Sequence, residues 1–439
     1  MEATECEANM RIVNLTEDTK KNILEDLLKR SPNNYVQYEK TVADIVNNVM
    51  INGDDAVFSY TQQFDKWDCN ADNIRVSADE IKDAYTKVDE ELISILKEAA
   101  DNIRIFHEKQ VKESWIIPKE DGTILGQKIT PIERAGCYAP GGKAFYPSSV
   151  LMNIIPAKVA GVEKIVLCTP GRKEDGSVHP VTLVAADIAG VDEIYKIGGA
   201  QAIAAMAYGT QSVPKVDKIT GPGNIFVALA KKAVFGYVGI DSVAGPSEIL
   251  VIADETANPR YVAADLLSQA EHDELASAIL ITTSKELAEK VSVEVDKFTQ
   301  ELSRKEIIEK SLENYGYILV TDSLDKAIAA ANDIASEHLE IMTKDPYNVM
   351  TKIKNAGAIF IGEYSSEPLG DYFAGPNHIL PTNGTARFFS PLNVDDFTKK
   401  TSIISYSKDA LEKVHGKIEY FAEQEQLTAH ANSIRVRFE

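Results

Sequence analysis

Cysteine, basic clusters and long apolar runs are all scarce in this chain of 439 residues. Its four cysteines, Cys6, Cys69, Cys137 and Cys168, stand far apart and form no C-x-x-C pair. That excludes a disulfide framework and a cysteine zinc site as the basis of the fold. The 46 Lys+Arg are outnumbered by 67 Asp+Glu, for a formal charge of −21, and no block of five basic residues occurs. Such a surface repels phosphate backbones, so no nucleic-acid partner is expected. Backbone amides in a pocket can still hold an anionic cofactor. No apolar run approaches the about 18 residues of a membrane span, so no membrane association is expected. The start, Met1-Glu2-Ala3-Thr4-Glu5-Cys6-Glu7, is acidic and lacks the basic-then-apolar pattern of a signal peptide, which predicts a cytoplasmic protein. Also missing are G-x-G-x-x-G, a Walker A motif and G-x-S-x-G, so neither a standard dinucleotide fingerprint nor an α/β-hydrolase is indicated.

What is present is an ordinary globular composition, 44 % hydrophobic and 26 % charged, long enough for two to four domains at about 100–200 residues each. Residues 14–115 show apolar positions at helical spacing: Ile23-Leu24, Leu27-Leu28, Val42, Ile45-Val46, then Ile81, Tyr85, Leu92 and Ile95-Leu96. Pro32 and Asn52-Gly53-Asp54-Asp55 break this region into shorter helices. From about residue 130, short apolar runs at 164–170, 193–197, 248–253, 278–282, 317–321 and 357–361 alternate with amphipathic stretches such as 285–303 and 323–336. That texture predicts an α/β fold with mostly parallel sheets covered on both faces. Glycine clusters at 198–201, 221–224 and 244–247 follow strands, where an open α/β sheet binds ligands at its carboxyl edge; each cluster taken singly is equally turn chemistry.

The candidate chemistry lies in a few dipeptides and loops. Gln269 and His272 are three apart on one helix face, able to give a metal an oxygen and a nitrogen, or simply a surface Gln and a capping His. Asp371 and His378 share an irregular Gly-rich loop, 369–378. Glu337-His338 follows a helical stretch and offers two proton-transfer groups, though chance neighbours of this kind are common. Glu425 and His430 stand near the C-terminus, five apart, and diverge on an ideal helix. Cys137 could be a nucleophile in its glycine-rich neighbourhood, but a lone cysteine beside a strand is more often core.

Taken together, Gly136-Cys137-Tyr138-Ala139-Pro140-Gly141-Gly142, Gly198-Gly199-Ala200-Gln201, Gly221-Pro222-Gly223-Asn224, Ala244-Gly245-Pro246-Ser247-Glu248, Gln269-Ala270-Glu271-His272, Glu337-His338-Leu339-Glu340, the 369–378 loop and Leu427-Thr428-Ala429-His430 occur in one order. That series closely resembles the histidinol dehydrogenase family, from about residue 11 onwards. The first nine residues read as an extension or a start-site choice. The resemblance implies zinc-dependent oxidation of L-histidinol to L-histidine, through L-histidinaldehyde, with two NAD. It implies zinc ligands at Gln269, His272, Asp371 and His430, and an acid–base pair at Glu337 and His338. Substrate contacts would be Ser247, His378 and Glu425 besides the ligands and His338, and NAD contacts Tyr138, Gln201 and Asn224. Cys137 and Pro391 depart from the expected small residues at positions without chemistry.

The implied architecture is two incomplete Rossmann-like domains, a helical satellite and a small C-terminal helical arm exchanged in a homodimer with shared active sites. In residue terms, 1–35 packs on the first Rossmann-like domain, 36–114 is the satellite, and 115–136 with 247–391 make that first domain, carrying zinc and the acid–base pair. Residues 137–246 make the second, NAD-binding domain, and 392–439 the dimerisation arm. Rival readings are a paralogous zinc/NAD alcohol dehydrogenase for another small polar alcohol, a zinc hydrolase using Glu337 as base, and a non-catalytic nucleotide-binding protein. Both His378 and Glu425 are retained, which argues against the first; the second predicts no NAD reduction with any alcohol. The third has no use for Glu337, His338 and a full ligand set.

Overall fold

A computed structural model describes residues 10–30, 35–141 and 146–439. Pro32, Gly142 and residues 1–9 with Cys6 lie outside the described residues. The strands among the described residues are, in chain order, β1 (Arg11–Asn14), β2 (Trp115–Pro118), β3 (Ile124–Pro131), β4 (Arg134–Tyr138), β5 (Lys164–Cys168), β6 (Glu193–Tyr195), β7 (Lys218–Thr220), β8 (Gly239–Ile240), β9 (Glu248–Ala253), β10 (Ser277–Thr282), β11 (Gly316–Val320), β12 (His338–Met342), β13 (Ala358–Ile361) and β14 (Thr398–Ser405).

Two of the three sheets are wholly parallel. One has the order β6-β5-β4-β7-β8. The other has the order β1-β11-β10-β9-β12-β13. Leaving out β1, which joins from the N-terminus, both sheets wind 3-2-1-4-5 in their own chain order, the Rossmann-type winding with its switch point beside the first strand. The α/β expectation, with mostly parallel sheets, is what the structure shows.

The six-stranded sheet follows from its residues. All six positions of β9 and of β10 are buried. Ile249 and Val251 face one helical layer with Val262, Leu266, Val291 and Val295. Leu250 and Ile252 face the other, with Ile23, Leu27, Ile328 and Ile334. A strand that buries both faces must be apolar at every position, hence the continuous runs. Beside the other parallel sheet, helices Val36–Asn52 and Asp54–Phe64 share a core, through Val42, Ile45, Val49 and Val57, with Ile203 of helix Gly199–Tyr208 and Val227 of helix Ile225–Val234.

The chain divides into two compact units. The larger holds both parallel sheets and runs to Gln110 and again over Glu133–Phe397. The smaller joins Val111–Ile132 to Thr398–Glu439. Here the structure departs from the expected boundaries. Rather than joining the six-stranded sheet, β2 and β3 pair antiparallel with β14, while β4 is the central strand of the five-stranded sheet. No position of β3 is fully buried, which suits an open antiparallel ribbon and not a sheet covered on both faces. The C-terminal segment is accordingly a strand followed by helices Lys408–Glu412, His415–Gln424 and Thr428–Arg435.

Candidate active site

The candidate acid–base pair, Glu337 and His338, is anchored on one residue, Glu248. It is the first residue of β9, at the sheet's amino edge. Its N–H donates to Glu337 Oε2 at 2.8 Å, and its carbonyl accepts from His338 Nδ1 at 2.9 Å. β12 begins at His338 and runs beside β9 with His338 opposite Ile249, which brings both side chains onto the backbone of that one residue. Glu337 Oε2 and His338 Nδ1 are 3.6 Å apart. Rather than diverging as neighbours on a helix would, they converge, because they precede and open a strand.

Because a carbonyl only accepts, His338 carries its proton on Nδ1, and Nε2 keeps its lone pair. Nε2 is buried and has no partner among the described residues. Burial drops the imidazole pKa to about 4, so it stays neutral at physiological pH. Burial also raises the Glu337 carboxyl well above its ordinary range, against the opposing pull of the Glu248 N–H.

Beside this pair, His272, Glu367 and Asp371 place one potential ligand atom each within 4.8 Å of one another. Gln269 lies in the last turn of helix Pro259–Ala270, and His272 follows its cap. Their side chains meet at 2.7 Å, Gln269 Nε2 to His272 Nδ1. Gln269 is fully buried and its Oε1 has no partner among the described residues. An orphaned carbonyl oxygen beside an imidazole and two carboxylates is a donor set that a divalent cation satisfies. Asp371 sits on a short helix, Glu367–Tyr372, not in a loop as expected. Pro368 suits the first turn, and buried Glu340 Oε1 accepts from the Glu367 N–H at 2.9 Å. His378 Nδ1 lies 3.0 Å from the Asp371 carbonyl, and its Nε2 3.2 Å from Ser149 Oγ. Ser247, half-buried, immediately precedes Glu248.

Sequence reasoning missed Glu367. It stands four residues before Asp371, a spacing that signals proximity only once 367–372 is known to be helical. Burial and the Asp371 charge push its carboxyl up to about 8.

The three candidate cofactor residues lie elsewhere in the larger unit. Tyr138 ends β4, Gln201 follows β6 and Asn224 follows β7, all at the carboxyl edge of the five-stranded sheet, around its switch point. The Gly199 N–H donates to Tyr138 Oη at 3.1 Å. Gln201 is buried, and its Nε2 has no partner among the described residues. Asn224 caps helix Ile225–Val234 through the Phe226 and Val227 N–H groups. Cys137 is fully buried, its thiol pushed up to about 12 by burial, and is core. The glycine cluster 244–247 precedes β9, so it borders the amino edge of the six-stranded sheet and not a carboxyl edge. Glu425 and His430 belong to the smaller unit, exposed, at the cap of helix His415–Gln424 and inside helix Thr428–Arg435.

A neutral imidazole with a free nitrogen, held dry next to a cation-ready set of donors, is equipment for moving protons during a reaction. It places the chain among the two-sheet α/β enzymes. The profile of the family described as Histidinol dehydrogenase matches residues 28–438. The histidinol dehydrogenase of Clostridium acetobutylicum is 57 % identical over 414 residues, 94 % of this chain and 95 % of that one. The Bacillus subtilis enzyme is 57 % identical over 402 residues, 91 % and 93 % of the two chains. A crystal structure of histidinol dehydrogenase from Elizabethkingia anophelis superposes with TM-score 0.92 at 40 % identity, covering 99 % of each chain. The chain belongs to the histidinol dehydrogenase family, oxidoreductases of histidine biosynthesis.

Proposed function

We propose that the enzyme oxidises L-histidinol to L-histidine through L-histidinaldehyde, using one zinc ion per site and two NAD per turnover. The observation that carries this reading is the unpartnered, buried Nε2 of neutral His338, beside a donor set with an orphaned oxygen.

Zinc would be held by Gln269, His272 and Asp371, with His430 of a second copy as the remaining ligand; when bound it supplies a template and Lewis acid for the amino alcohol and imidazole of the substrate. NAD would lie against Tyr138, Gln201 and Asn224 and supplies the hydride acceptor for each oxidation. His338 Nε2 takes the hydroxyl proton in the alcohol step and again from the hydrated aldehyde. Glu248 holds the opposite nitrogen and so fixes the tautomer. Glu337 takes a proton from the water that hydrates the aldehyde. Two groups are wanted because alcohol oxidation and water activation remove different protons. Ser247 and His378 contact the substrate, and Glu425 of the second copy pairs with its ammonium.

The homodimer with shared sites is supported by the smaller unit. Among its residues only Thr123, Ala410 and Ala431 are buried, while Trp115, Ile116, Ile404, Tyr420 and Phe421 are exposed. A unit with so little core is stabilised by covering that apolar surface, and a second copy offers the same surface for a two-fold contact. No helix among the described residues is long and apolar enough to cross a membrane, and we assign the enzyme to the cytoplasm. The test is stoichiometry: two NADH per histidinol consumed, with histidine as product. One NADH with accumulating aldehyde, or no NADH at all, refutes the reading.

A further inference from the structure

Arg30 is a charged side chain with no place in the chemistry above. It caps helix Glu17–Lys29 and its side chain is wholly buried. One guanidinium nitrogen donates to Glu248 Oε1 at 2.5 Å, the other to the Leu275 carbonyl at 2.7 Å. The Tyr315 ring lies under it, 5.0 Å from ring centre to guanidinium carbon. Glu248 is the residue whose two peptide groups hold Glu337 and His338. Leu275 lies three residues after His272, in the turn that leads into β10.

We propose that Arg30 is a positioning residue for the Glu337–His338 pair, acting through Glu248. By clamping the Glu248 side chain to the Leu275 carbonyl, the guanidinium fixes the start of β9 against the turn before β10. The Glu248 peptide plane, and with it the aim of both side chains, is then held from behind. A buried ion pair is a poor device for stability alone, because desolvating both charges cancels much of their attraction and an apolar pair does as well. Its placement behind the anchor of the acid–base pair is what gives it a use. The planar fork matters too: it meets two acceptors in fixed directions, which a lysine's point charge does not. The proposal rests on reading Glu337 and His338 as the acid–base pair.

Arg30→Met alone strands the Glu248 charge in a dry interior and is expected to fold poorly. The deciding variant is therefore Arg30→Met/Glu248→Gln, which removes both charges together and keeps the Glu248 backbone. Its kcat should fall about tenfold or more, as a misaimed catalytic group implies, with KM for histidinol and zinc content within about twofold of wild type. Independently of activity, 15N NMR of histidine-labelled protein, with His338 assigned from His338→Gln, should show an Nδ1-protonated ring in wild type and a mixed tautomer in the double variant. A kcat within twofold of wild type overturns the proposal. So does loss of the fold, or a joint fall of kcat, zinc content and melting temperature, either of which marks a merely structural pair. Wild-type protein that makes no NADH from histidinol defeats the functional reading instead, and the tautomer then decides the proposal alone: an unchanged ring overturns it.

Discussion

Placing one methyl group at Gly357 tests whether the Glu337–His338 geometry governs the rate. Gly357 precedes β13, which runs parallel to β12 with His338 opposite Ala358. The Ala358 N–H donates to the Glu337 carbonyl at 2.9 Å, and the Gly357 N–H to the Ser336 carbonyl at 3.0 Å. A Cβ on Gly357 would stand 2.4 Å from the Glu337 carbonyl oxygen, 3.2 Å from its carbon and 3.3 Å from its Cα. Side-chain carbons essentially never approach closer than 3.0 Å, so the Glu337 peptide must retreat by at least 3.0 − 2.4, or 0.6 Å. That retreat is enough to spoil the 2.8 Å bond to the Glu248 N–H and, one residue on, the 2.9 Å bond that fixes the His338 tautomer. Misplacement of about 1 Å costs up to about a hundredfold in rate, so Gly357→Ala should lower kcat by about ten- to a hundredfold. The aldehyde step should suffer at least as much as the alcohol step. Zinc content should hold, since Gln269, His272 and Asp371 sit on other elements. Gly362, just past the far end of β13, is the control. It has φ +86° and no atom within 4 Å of a built Cβ, so Gly362→Ala should cost about 1–3 kcal/mol of stability through backbone strain while leaving kcat alone. Steady-state NADH formation with histidinol and with added histidinaldehyde, metal analysis and a melting curve on both variants decide the matter. If Gly357→Ala keeps kcat within twofold, or if Gly362→Ala loses as much, the rate does not depend on this geometry.

Four further outcomes are expected. Chelation should abolish turnover and added zinc restore it; full activity in a demonstrably metal-free preparation would contradict the ligand assignment. His338→Asn should impair oxidation of both histidinol and histidinaldehyde, whereas Glu337→Gln should chiefly slow the aldehyde, so a wild-type aldehyde rate in Glu337→Gln rules out water activation by this group. Mixing His430→Ala with His338→Ala subunits after verified exchange makes about half the dimers mixed, each with one whole site, and should return about a quarter of wild-type activity; no recovery eliminates the shared site. Because the His338 pKa is lowered to about 4 from about 6.5 unfolded, its neutral burial stabilises fully above 6.5 and ever less as pH falls towards 4. Between pH 7.5 and 5 the loss is on the order of 2 kcal/mol. His338→Gln should therefore show a smaller acid-induced drop in melting temperature than wild type, and an equal drop would contradict it.

How much of this could be read from the chain differs by element. β5, β9, β10 and β11 were legible as continuous apolar runs because each is buried on two faces or nearly so, and β13 was legible as such a run although none of its positions is buried. β12 was not, since Glu340 interrupts His338-Leu339-Glu340-Ile341-Met342, and an acid inside a wholly buried strand carries the pattern of a surface. Burial raises that carboxyl well above its ordinary range, and its hydrogen bond to the Glu367 N–H is a tertiary fact that no local pattern encodes. The spacing of Gln269 and His272 puts both on one helix face, but by itself it fits a surface Gln and a capping His as well. Asp371 was legible as a carboxylate, though on a helix rather than a loop, because Gly370 lowers helical propensity and hides it. Arg30 was beyond reach: its partner Glu248 is 218 residues away, and a basic residue at a helix end is ordinarily a solvated cap.

The edges of the two parallel sheets carry the deeper lesson. Both wind alike, and a general rule puts ligands at the carboxyl ends of such strands. The proposed cofactor contacts Tyr138, Gln201 and Asn224 lie at such ends on one sheet, but Ser247, Glu337 and His338 lie at the amino ends of the other. Hydride transfer needs donor and acceptor within about 3–3.5 Å, so the proposed chemistry requires the carboxyl edge of the first sheet to meet the amino edge of the second. Helix Pro147–Ala160, which follows β4, makes that junction. Its Ser149 bonds His378, and the Met152 carbonyl accepts from Asn377 Nδ2 at 2.8 Å. The 373–379 segment is thereby tied to the cofactor edge at one end and, through the Asp371 carbonyl, to the ligand group at the other. Copying one winding twice thus leaves a single sheet free to follow the rule, while the second is turned to present its opposite edge. A buried proton-transfer pair suits that amino edge, because the N–H and the carbonyl of the strand's first residue can hold Glu337 and His338 at once.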